Sequence, residues 1–173
     1  MIKTFYLMRH GQTRFNVQGR IQGMCDSPLT EERIEQAKAA RRYFEQEGIT
    51  FTRVYSSTQE RACDTAELAT GRVDYIRLKG IKEMDFGAYE AHQEYLNPPV
   101  HHEDGSDYRD FFVRYGGEST AQVYERMEQT IREVLEDSKE VETLLFVSHG
   151  GAIMRFYFHA TKNPPIPKKR PAN

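Results

Sequence analysis

The sequence has few cysteines and no long apolar run. Its 173 residues include two cysteines, Cys25 and Cys63, which do not form a Cys-x-x-Cys pair. Disulfide frameworks and zinc sites need more cysteines at closer spacing, so neither is expected here. No stretch approaches the ~20 apolar residues of a membrane span, and the apolar run before Arg9 is too short for the core of a signal peptide. We therefore expect a soluble, cytoplasmic protein with no membrane partner.

The sequence also has little net charge. It carries 24 basic and 26 acidic side chains, which gives a formal net charge of −2 at neutral pH. Such a chain has no overall positive field to hold a nucleic acid, so recognition of an anion has to be local. The basic run Lys168–Arg170 is interpreted as a solvated tail. We expect no nucleic-acid partner.

The length and the apolar content fit one folded domain. A chain of 173 residues, 38% of them hydrophobic, buries about 70% of its unfolded surface. We expect a single domain over residues 1–173. Residues 84–116 have little periodicity and are expected to form a lid-like insertion, packed onto the body by its aromatic side chains. Within it, His101–Asp104 lacks further metal ligands and is interpreted as an exposed polar loop.

Apolar runs alternate with amphipathic segments along the chain. The predicted strands are residues 4–8, 53–56, 74–78 and 144–147. The predicted helices are residues 30–47, a segment opened by a capping box at Ser57–Glu60, a segment opened by a capping box at Ser119–Gln122, and residues 152–160. This alternation predicts the α/β class, with a mainly parallel central sheet and helices on both faces, a three-layer α/β/α arrangement.

Polar residues follow three of these strands. In parallel sheets, ligands bind at the carboxyl ends of the strands. Arginine forks match phosphate oxygens, and helix N-termini favour anions. Arg61 lies near a predicted helix N-terminus, and two histidines are expected at the same edge of the sheet. The loops concerned begin with Arg9-His10-Gly11, Ser56-Ser57 and Ser148-His149-Gly150.

Histidines at such a site can act on phosphorus. A histidine beside two arginines is disfavoured as a cation, so it keeps a lone pair for nucleophilic attack near neutral pH. Either His10 or His149 could serve. Phosphoryl transfer also needs a group that protonates the leaving oxygen and then activates water, which a carboxyl group can do. Composition alone does not identify that group among the 26 carboxylates.

Six motifs occur in a fixed order along nearly the whole chain. They are Leu7–Asn16 (LMRHGQTRFN), Gly19–Gly23 with Asp26–Thr30, Val54–Ser57 with Arg61-Ala62 and Thr65-Ala66, Glu83–Gly87 (EMDFG), Gly117–Ser119, and Ser148–Gly151 (SHGG). The first resembles the signature LxRHGxTxxN of the histidine phosphatase superfamily, whose best-known members are the cofactor-dependent phosphoglycerate mutases. An Arg-His-Gly triplet alone would be a weak signal, but six ordered motifs are a strong one.

The resemblance implies roles for individual residues. In the family, the histidine of the Arg-His-Gly motif becomes transiently phosphorylated, which implies His10 as the nucleophile. Glu83 stands where the family has its proton donor and acceptor. The implied holders of the phosphoryl group are Arg9, Arg61 and His149, and the rest of the phosphate pocket would be Thr13, Asn16, Gln22, Gly23 and the Gly150 amide. No metal or other cofactor is implied, because arginines and histidines supply the positive charge.

The segment between Glu83 and His149 bears on the reaction. Mutases of the family carry a longer insertion there, with basic residues for a second phosphate. Here the predicted lid is short and mainly acidic, with Glu90, Glu94, Glu103, Asp104, Asp107 and Asp110 against Arg109 and Arg114. We therefore predict hydrolysis of a small phosphorylated metabolite. The alternative is a phosphoglycerate mutase, which would need 2,3-bisphosphoglycerate as a cofactor. The third hypothesis is a non-catalytic phospholigand-binding relative, which would be expected to lack His10, Glu83 or His149.

Three features depart from the family pattern. Arg33 stands where relatives usually have glycine, which favours the helix but puts a bulky cation near the site. Ala91 also stands where glycine is common. The chain ends at Asn173, where relatives continue with another strand. A sheet edge without a partner strand favours pairing with another chain, so the resemblance leaves a homodimer open.

Overall fold

A computed structural model describes residues 4–96 and 108–161 of the chain. Residues 97–107 of the predicted lid, which include His101–Asp104, lie outside the described residues. The basic run Lys168–Arg170 also lies outside them. No helix in the described part is long and apolar enough to cross a membrane.

Four parallel strands form the central sheet. They are β1 (Phe5–Arg9), β2 (Arg53–Ser57), β3 (Ile76–Leu78) and β4 (Leu144–Ser148), in the spatial order β1-β4-β2-β3. The register places Arg9 opposite Ser148 and Ser56 opposite Val147. The carboxyl ends of β1, β4 and β2 are therefore level, and the loops that follow them start side by side.

Helices cover both faces of this sheet. They are α1 (Arg14–Val17), α2 (Glu31–Gln46), α3 (Glu60–Thr70), α4 (Thr120–Asp137) and α5 (Gly150–Ala160). Short 3-10 turns are formed by Lys79–Ile81, Gly87–Tyr89, Glu94–Leu96 and Val113–Tyr115. Along β4, Leu144 and Phe146 pack into a buried cluster with α4 and α5, whereas Leu145 and Val147 pack with α3. The predicted three-layer α/β/α fold is confirmed.

The helix starts show where local sequence signals were decisive. The capping box predicted at Ser119 is present, because its Oγ accepts the Gln122 N–H at 3.1 Å and Gln122 Oε1 accepts the Ser119 N–H at 2.8 Å. The capping box predicted at Ser57–Glu60 is wrong. Ser57 is the last residue of β2, and Gln59 is the N-cap of α3, without a side-chain capping bond. The Ser57 hydroxyl contacts His149 Nε2 at 2.7 Å and accepts the Gln59 N–H at 3.2 Å, so it holds the turn before α3 and the site together instead of capping the helix.

The described parts of the predicted lid pack on the body. Phe112 is fully buried and lies in the same cluster as Met84 and Val123. Its ring contacts those of Phe86, Tyr89, Tyr108 and Phe111. These aromatic side chains therefore hold the segments around Phe86–Tyr89 and Tyr108–Phe112 against the core. Tyr95 is 80% exposed and does not take part in this packing.

The β1 strand has one partner strand among the described residues. That partner is β4, on one side only. The other side of β1 is the sheet edge for which pairing with a second chain was considered. The homodimer stays a prediction.

Ala91 adopts a backbone conformation that favours glycine. Its φ is +65°, in the left-handed region, and its N–H donates to the Ile21 carbonyl at 3.1 Å. This is the conformation for which glycine, the residue that the family resemblance leads us to expect here, is better suited than alanine.

We predict that Ala91→Gly raises the free energy of unfolding by about 0.5–1 kcal/mol. The left-handed conformation costs alanine about 1–2 kcal/mol, and the greater freedom of glycine in the unfolded chain offsets part of the gain. Urea unfolding measures the change. The matched control is Ala88→Gly in the turn Gly87–Tyr89, which lacks a positive φ at Ala88 and is expected to lower stability. A loss of stability in both variants would contradict the conformational argument.

Candidate active site

The two predicted histidines meet at the carboxyl end of the sheet. His10 follows β1 and His149 follows β4, and the His10 N–H donates to the Ser148 carbonyl at 3.0 Å. This bond joins the two strand ends. The imidazole centroids of His10 and His149 lie 5.0 Å apart, with their planes at 56°. Both side chains are buried.

The His10 ring is held as a neutral base. Its Nδ1 lies 2.6 Å from the Gly11 carbonyl oxygen, which can only accept, so Nδ1 carries the proton and Nε2 keeps the lone pair. Arg61 Nε–H donates to Nε2 at 3.3 Å. Burial, then the Arg61 guanidinium and then that of Arg9, lower the pKa of His10 to about 3. The ring is therefore uncharged at neutral pH, as predicted.

His149 is a fully buried polar group of the site. Its Nε2 lies 2.7 Å from Ser57 Oγ. Burial, followed by the positive charge of Arg61, lowers its pKa well below 6.5. Within the described residues, the buried Nδ1 has no hydrogen-bond partner. It is a polar atom that a ligand could satisfy.

Arg61 lies against His10, but its fork is bound to the loop after α1. NH1 donates to Asp26 Oδ1 and to the Cys25 carbonyl, both at 2.9 Å, and NH2 donates to the Gly23 carbonyl at 2.9 Å. The Nε edge is the part that faces His10. The sequence suggested a fork offered to phosphate oxygens. The structure instead uses that fork to fix the loop, while the charge stays beside the imidazole.

Glu83 lies at the N-terminus of α5. This helix begins at Gly150, directly after His149 in the chain. Its Oε1 accepts the N–H groups of Met84 and Ala152 at 2.9 and 2.8 Å, and its Oε2 accepts that of Gly151 at 2.9 Å. Amides of a first helical turn lack partners inside the helix, so a carboxylate satisfies them well. A Cβ at Gly151 would lie 2.6 Å from Glu83 Oε1. Glycine is therefore required for this approach.

Arg9 and Gly150 are adjacent. A Cβ at Gly150 would lie 3.0 Å from Nε and 3.1 Å from Cζ of Arg9. The Arg9 guanidinium therefore lies against the first residue of α5, where a helix leaves its amides unpaired. This places a cation and a helix N-terminus together.

Thr13, Asn16 and Gln22 form one hydrogen-bonded unit. Thr13 and Asn16 make a capping box that begins α1, a helix that was not predicted. The buried Thr13 hydroxyl donates to Gln22 Oε1. Gln22 Nε2 is buried and has no partner among the described residues, which leaves it available to a ligand. Next to it, Gly23 passes so close to the Met84 carbonyl that a Cβ would overlap it.

Glu90 was predicted only as an acidic residue of the lid, and its actual position is different. Its Oε1 accepts the N–H groups of Met24 and Phe86 at 2.8 and 3.0 Å, and its Oε2 accepts those of Gly23 and Cys25 at 3.1 and 3.0 Å. Four backbone amides thus converge on one carboxylate. Glu90 ties the loop that holds Arg61 to the segment that follows Glu83.

Two further residues that the sequence did not single out hold Glu83. Gln59 Oε1 accepts the Glu83 N–H at 2.9 Å. Arg126 of α4 donates to the Glu83 carbonyl at 2.9 Å and forms an ion pair with Glu118 at 2.7 Å. Arg126 is 43 residues from Glu83 in the chain, and nothing in its local sequence predicts this contact.

Comparison with known proteins identifies the family. The model of the histidine phosphatase superfamily (branch 1) matches residues 5–170. The chain belongs to this superfamily, and its fold and its paired histidines agree with that membership.

Individual relatives carry phosphatase names. The chain is 31% identical over 163 residues to a metal-independent phosphoserine phosphatase of Arabidopsis thaliana, covering 90% of this chain and 68% of the relative. It is 33% identical over 150 residues to a 6-phosphofructo-2-kinase/fructose-2,6-bisphosphatase of Caenorhabditis elegans. That match covers 85% of this chain but 32% of the relative, so the chain spans about a third of the bifunctional protein.

A solved structure agrees with the fold. The crystal structure of a phosphoserine phosphatase from Entamoeba histolytica, in complex with 3-phosphoglyceric acid, has a TM-score of 0.74 and 30% identity to this chain. The match covers 91% of this chain and 79% of the other.

We predict that the His10 ring stays neutral well into the acid range. An unfolded histidine takes up its proton near pH 6.5, whereas folded His10 does so at about 3. His10 therefore destabilises the folded state progressively as the pH falls from 6.5 towards 3, and has no such effect above 6.5. Nitrogen-15 NMR of labelled protein should show the neutral Nδ1–H ring at about pH 5. His10→Asn should lose less stability than the wild type between about pH 7.5 and about pH 5. A ring that titrates near 6.5 would contradict the assigned environment.

We predict that Glu90→Gln lowers the free energy of unfolding by about 1–3 kcal/mol, because an amide offers one acceptor oxygen to four N–H groups. Urea unfolding measures the loss. The control is Glu140→Gln, at an exposed turn position, which should change stability by less than about 0.5 kcal/mol. Equal effects of the two substitutions would show that the four amides do not depend on the carboxylate.

Proposed function

We propose that this protein hydrolyses a phosphomonoester of a small phosphorylated metabolite through a phosphohistidine at His10. The observation that carries the proposal is the neutral His10 ring, whose Nε2 lone pair lies beside a buried cation and a second buried histidine. A neutral imidazole is the nucleophilic form. The phosphatase names of the relatives favour hydrolysis over the mutase alternative.

In the first step, the Arg61 Nε–H shifts from His10 Nε2 to a phosphoryl oxygen. The freed Nε2 lone pair then attacks the phosphorus atom in line with the leaving oxygen. The bond between phosphorus and that oxygen breaks, and Glu83, in its carboxylic acid form, gives the oxygen a proton. The products are the free alcohol and a phosphohistidine. Arg9, the Nε edge of Arg61, His149 and the Gly150 amide stabilise the charge on the phosphoryl oxygens.

In the second step, the Glu83 carboxylate takes a proton from a water molecule as the water oxygen attacks phosphorus. The bond between phosphorus and nitrogen breaks, its electron pair returns to His10 Nε2, and inorganic phosphate leaves. Asn16, Gln22 and Gly23 complete the phosphate pocket, with Thr13 holding Gln22. The positive groups already present make a metal ion unnecessary in this scheme. The metal-independent relative supports that part of the proposal.

The proposal includes the location of the protein. The two cysteines are free thiols, Cys63 being buried and Cys25 half-buried. Reduced cysteines are typical of the cytoplasm. This supports a cytoplasmic enzyme that acts on a soluble metabolite.

We predict that His10→Ala lowers phosphatase activity by about 10³-fold or more in the presence of a chelator, because the nucleophile is lost. Hydrolysis of p-nitrophenyl phosphate and of L-phosphoserine measures the loss. The matched control is His159→Ala at the far end of α5, where the ring stacks on Tyr124. That variant should keep its activity.

Glu83→Gln separates the two steps. Its effect should be about 10²–10⁴-fold on an alkyl ester, which needs a proton on the leaving oxygen. With p-nitrophenyl phosphate, whose leaving group needs no proton, this variant should accumulate an acid-labile phosphohistidine that radiolabelled substrate reveals. Activity that a chelator removes, or activity unchanged in His10→Ala, would overturn the mechanism. Rapid interconversion of phosphoglycerates would favour the mutase, and phosphate binding without turnover would favour the non-catalytic relative.

A further inference from the structure

A cavity of about 540 Å³ opens beside His10. Its charged and catalytic lining consists of Arg9, His10, Asn16, Arg20, Arg33 and Glu94. A volume of this size accommodates a small metabolite. The cavity shares Arg9, His10 and Asn16 with the candidate phosphate pocket, so a phosphoryl group at His10 would have the rest of its own molecule in this space.

The charge of the cavity is positive. Three arginines and one glutamate contribute to its lining. Arg9 has a place in the proposed phosphoryl site, which leaves Arg20 and Arg33 with no part in the chemistry. Two cations that line one cavity repel each other, and an anion bound near both would reduce that repulsion.

Each of these two arginines is anchored and still has an unused donor. Arg20 NH1 donates to the Ala91 carbonyl at 3.0 Å, and its guanidinium carbon lies 5.7 Å from the centre of the Phe15 ring. Arg33 NH1 donates to Gln36 Oε1 one turn further along α2. In both side chains, Nε is buried and has no hydrogen-bond partner among the described residues. A buried donor without a partner is costly, so an acceptor that reaches it is strongly favoured.

Arg33 is also close to the nucleophile. A Cβ at Gly11 would lie 3.1 Å from the Arg33 Cβ, and Gly11 follows His10 directly. Arg33 lies on α2, outside the six motifs that carry the family resemblance, and the proposed phosphate pocket does not use it. Arg20 and Arg33 lie in different segments of the chain, and the sequence alone does not show that they line the same cavity.

We propose that Arg20 and Arg33 form a subsite for a second anionic group, so that the substrate is a phosphomonoester that also carries a carboxylate or a second phosphate. The subsite rests on the proposed function, because it assumes that the phosphoryl group lies at His10. Both anions match a guanidinium fork. The subsite also revises the earlier expectation from the acidic lid, since its cations come from the loop after α1 and from α2.

Paired substrates test this proposal. The carboxylate pair is 3-phosphoglycerate and glycerol 3-phosphate, which differ in a carboxylate against a hydroxymethyl group. The phosphate pair is propane-1,3-diol bisphosphate and its monophosphate. We expect the wild type to have a higher kcat/KM for the member that carries the second anionic group, in at least one pair. The pair that shows the preference identifies the anion.

The variants assign the preference to the two arginines. Arg33→Gln should reduce kcat/KM for the anionic substrate by about 10-fold, and the double variant Arg20→Gln/Arg33→Gln by about 10²-fold, as expected for charge-assisted hydrogen bonds. The kcat/KM for the partner substrate, which lacks the second anionic group, should change by less than about threefold. Arg33→Lys keeps the charge and should recover part of the preference, which a purely structural role would not predict. The control is Arg42→Gln, an exposed arginine of the same helix, which should alter neither substrate.

The outcomes separate this subsite from the proposed function. Turnover without preference for either anionic substrate, or equal losses for both members of a pair, overturns the subsite and leaves the phosphatase intact. If the protein turns over none of these substrates, calorimetry tests the subsite by measuring the binding of 3-phosphoglycerate. Binding of 3-phosphoglycerate that weakens about 10-fold in Arg33→Gln would support the subsite while the proposed hydrolysis fails. Binding that does not depend on Arg33 would overturn both. Thermal unfolding of each variant shows that the comparison is made on folded protein.

Discussion

The site depends on one buried cation, the Arg61 guanidinium. A charge with no solvent exposure is costly unless it is paired and hydrogen-bonded. Asp26 and the backbone carbonyls of Gly23 and Cys25, all in the loop after α1, supply that compensation. Burial is the main cause of the lowered pKa of His10 and of His149, and the Arg61 charge beside them adds to it. The fold therefore buries one positive charge next to two imidazoles that stay neutral.

The loop that compensates Arg61 is held from the other side by Glu90. A carboxylate that accepts four backbone amides fixes both its own segment and the loop. Gly23 adds a steric limit, since no side chain fits between this loop and the Met84 carbonyl. Arg61 and Glu83 are thus positioned by a shared set of contacts. A change in one loop would be felt by both the cation and the carboxyl group.

The sequence was sufficient for the fold and for the meeting of the two histidines. Apolar runs predicted the strands, and level strand ends bring His10 and His149 together because the sheet is parallel. The capping box at Ser57 failed because β2 extends through Ser57 and α3 begins only at Glu60. The contact of Ser57 with His149, 92 residues away, is not visible in the local pattern. The direction of the Arg61 fork and the role of Glu90 could not be predicted for the same reason. Both depend on contacts between segments more than thirty residues apart.

The residues proposed to carry out the chemistry differ in position from those proposed to select the substrate. In the proposed mechanism, motifs shared by the family supply the groups around the phosphoryl group. Of these, Arg9, His10 and His149 lie at the ends of β1 and β4, where the sheet fixes them. Arg33 lies on α2, outside those motifs, whereas Arg20 belongs to the motif Gly19–Gly23, and both line the space next to His10. A residue such as Arg33 can change without disturbing the sheet. Relatives with the same pocket can therefore act on different esters.

In the proposed mechanism, the anchoring of Glu83 links proton transfer to the last helix. Its carboxylate joins the Gly151 and Ala152 amides at the start of α5. Amides bond an ionised carboxylate more strongly than a protonated one. A proton that arrives on Glu83 loosens this tether, and a proton that departs tightens it again. The first turn of α5 would then be held tightly in one half of the turnover cycle and loosely in the other.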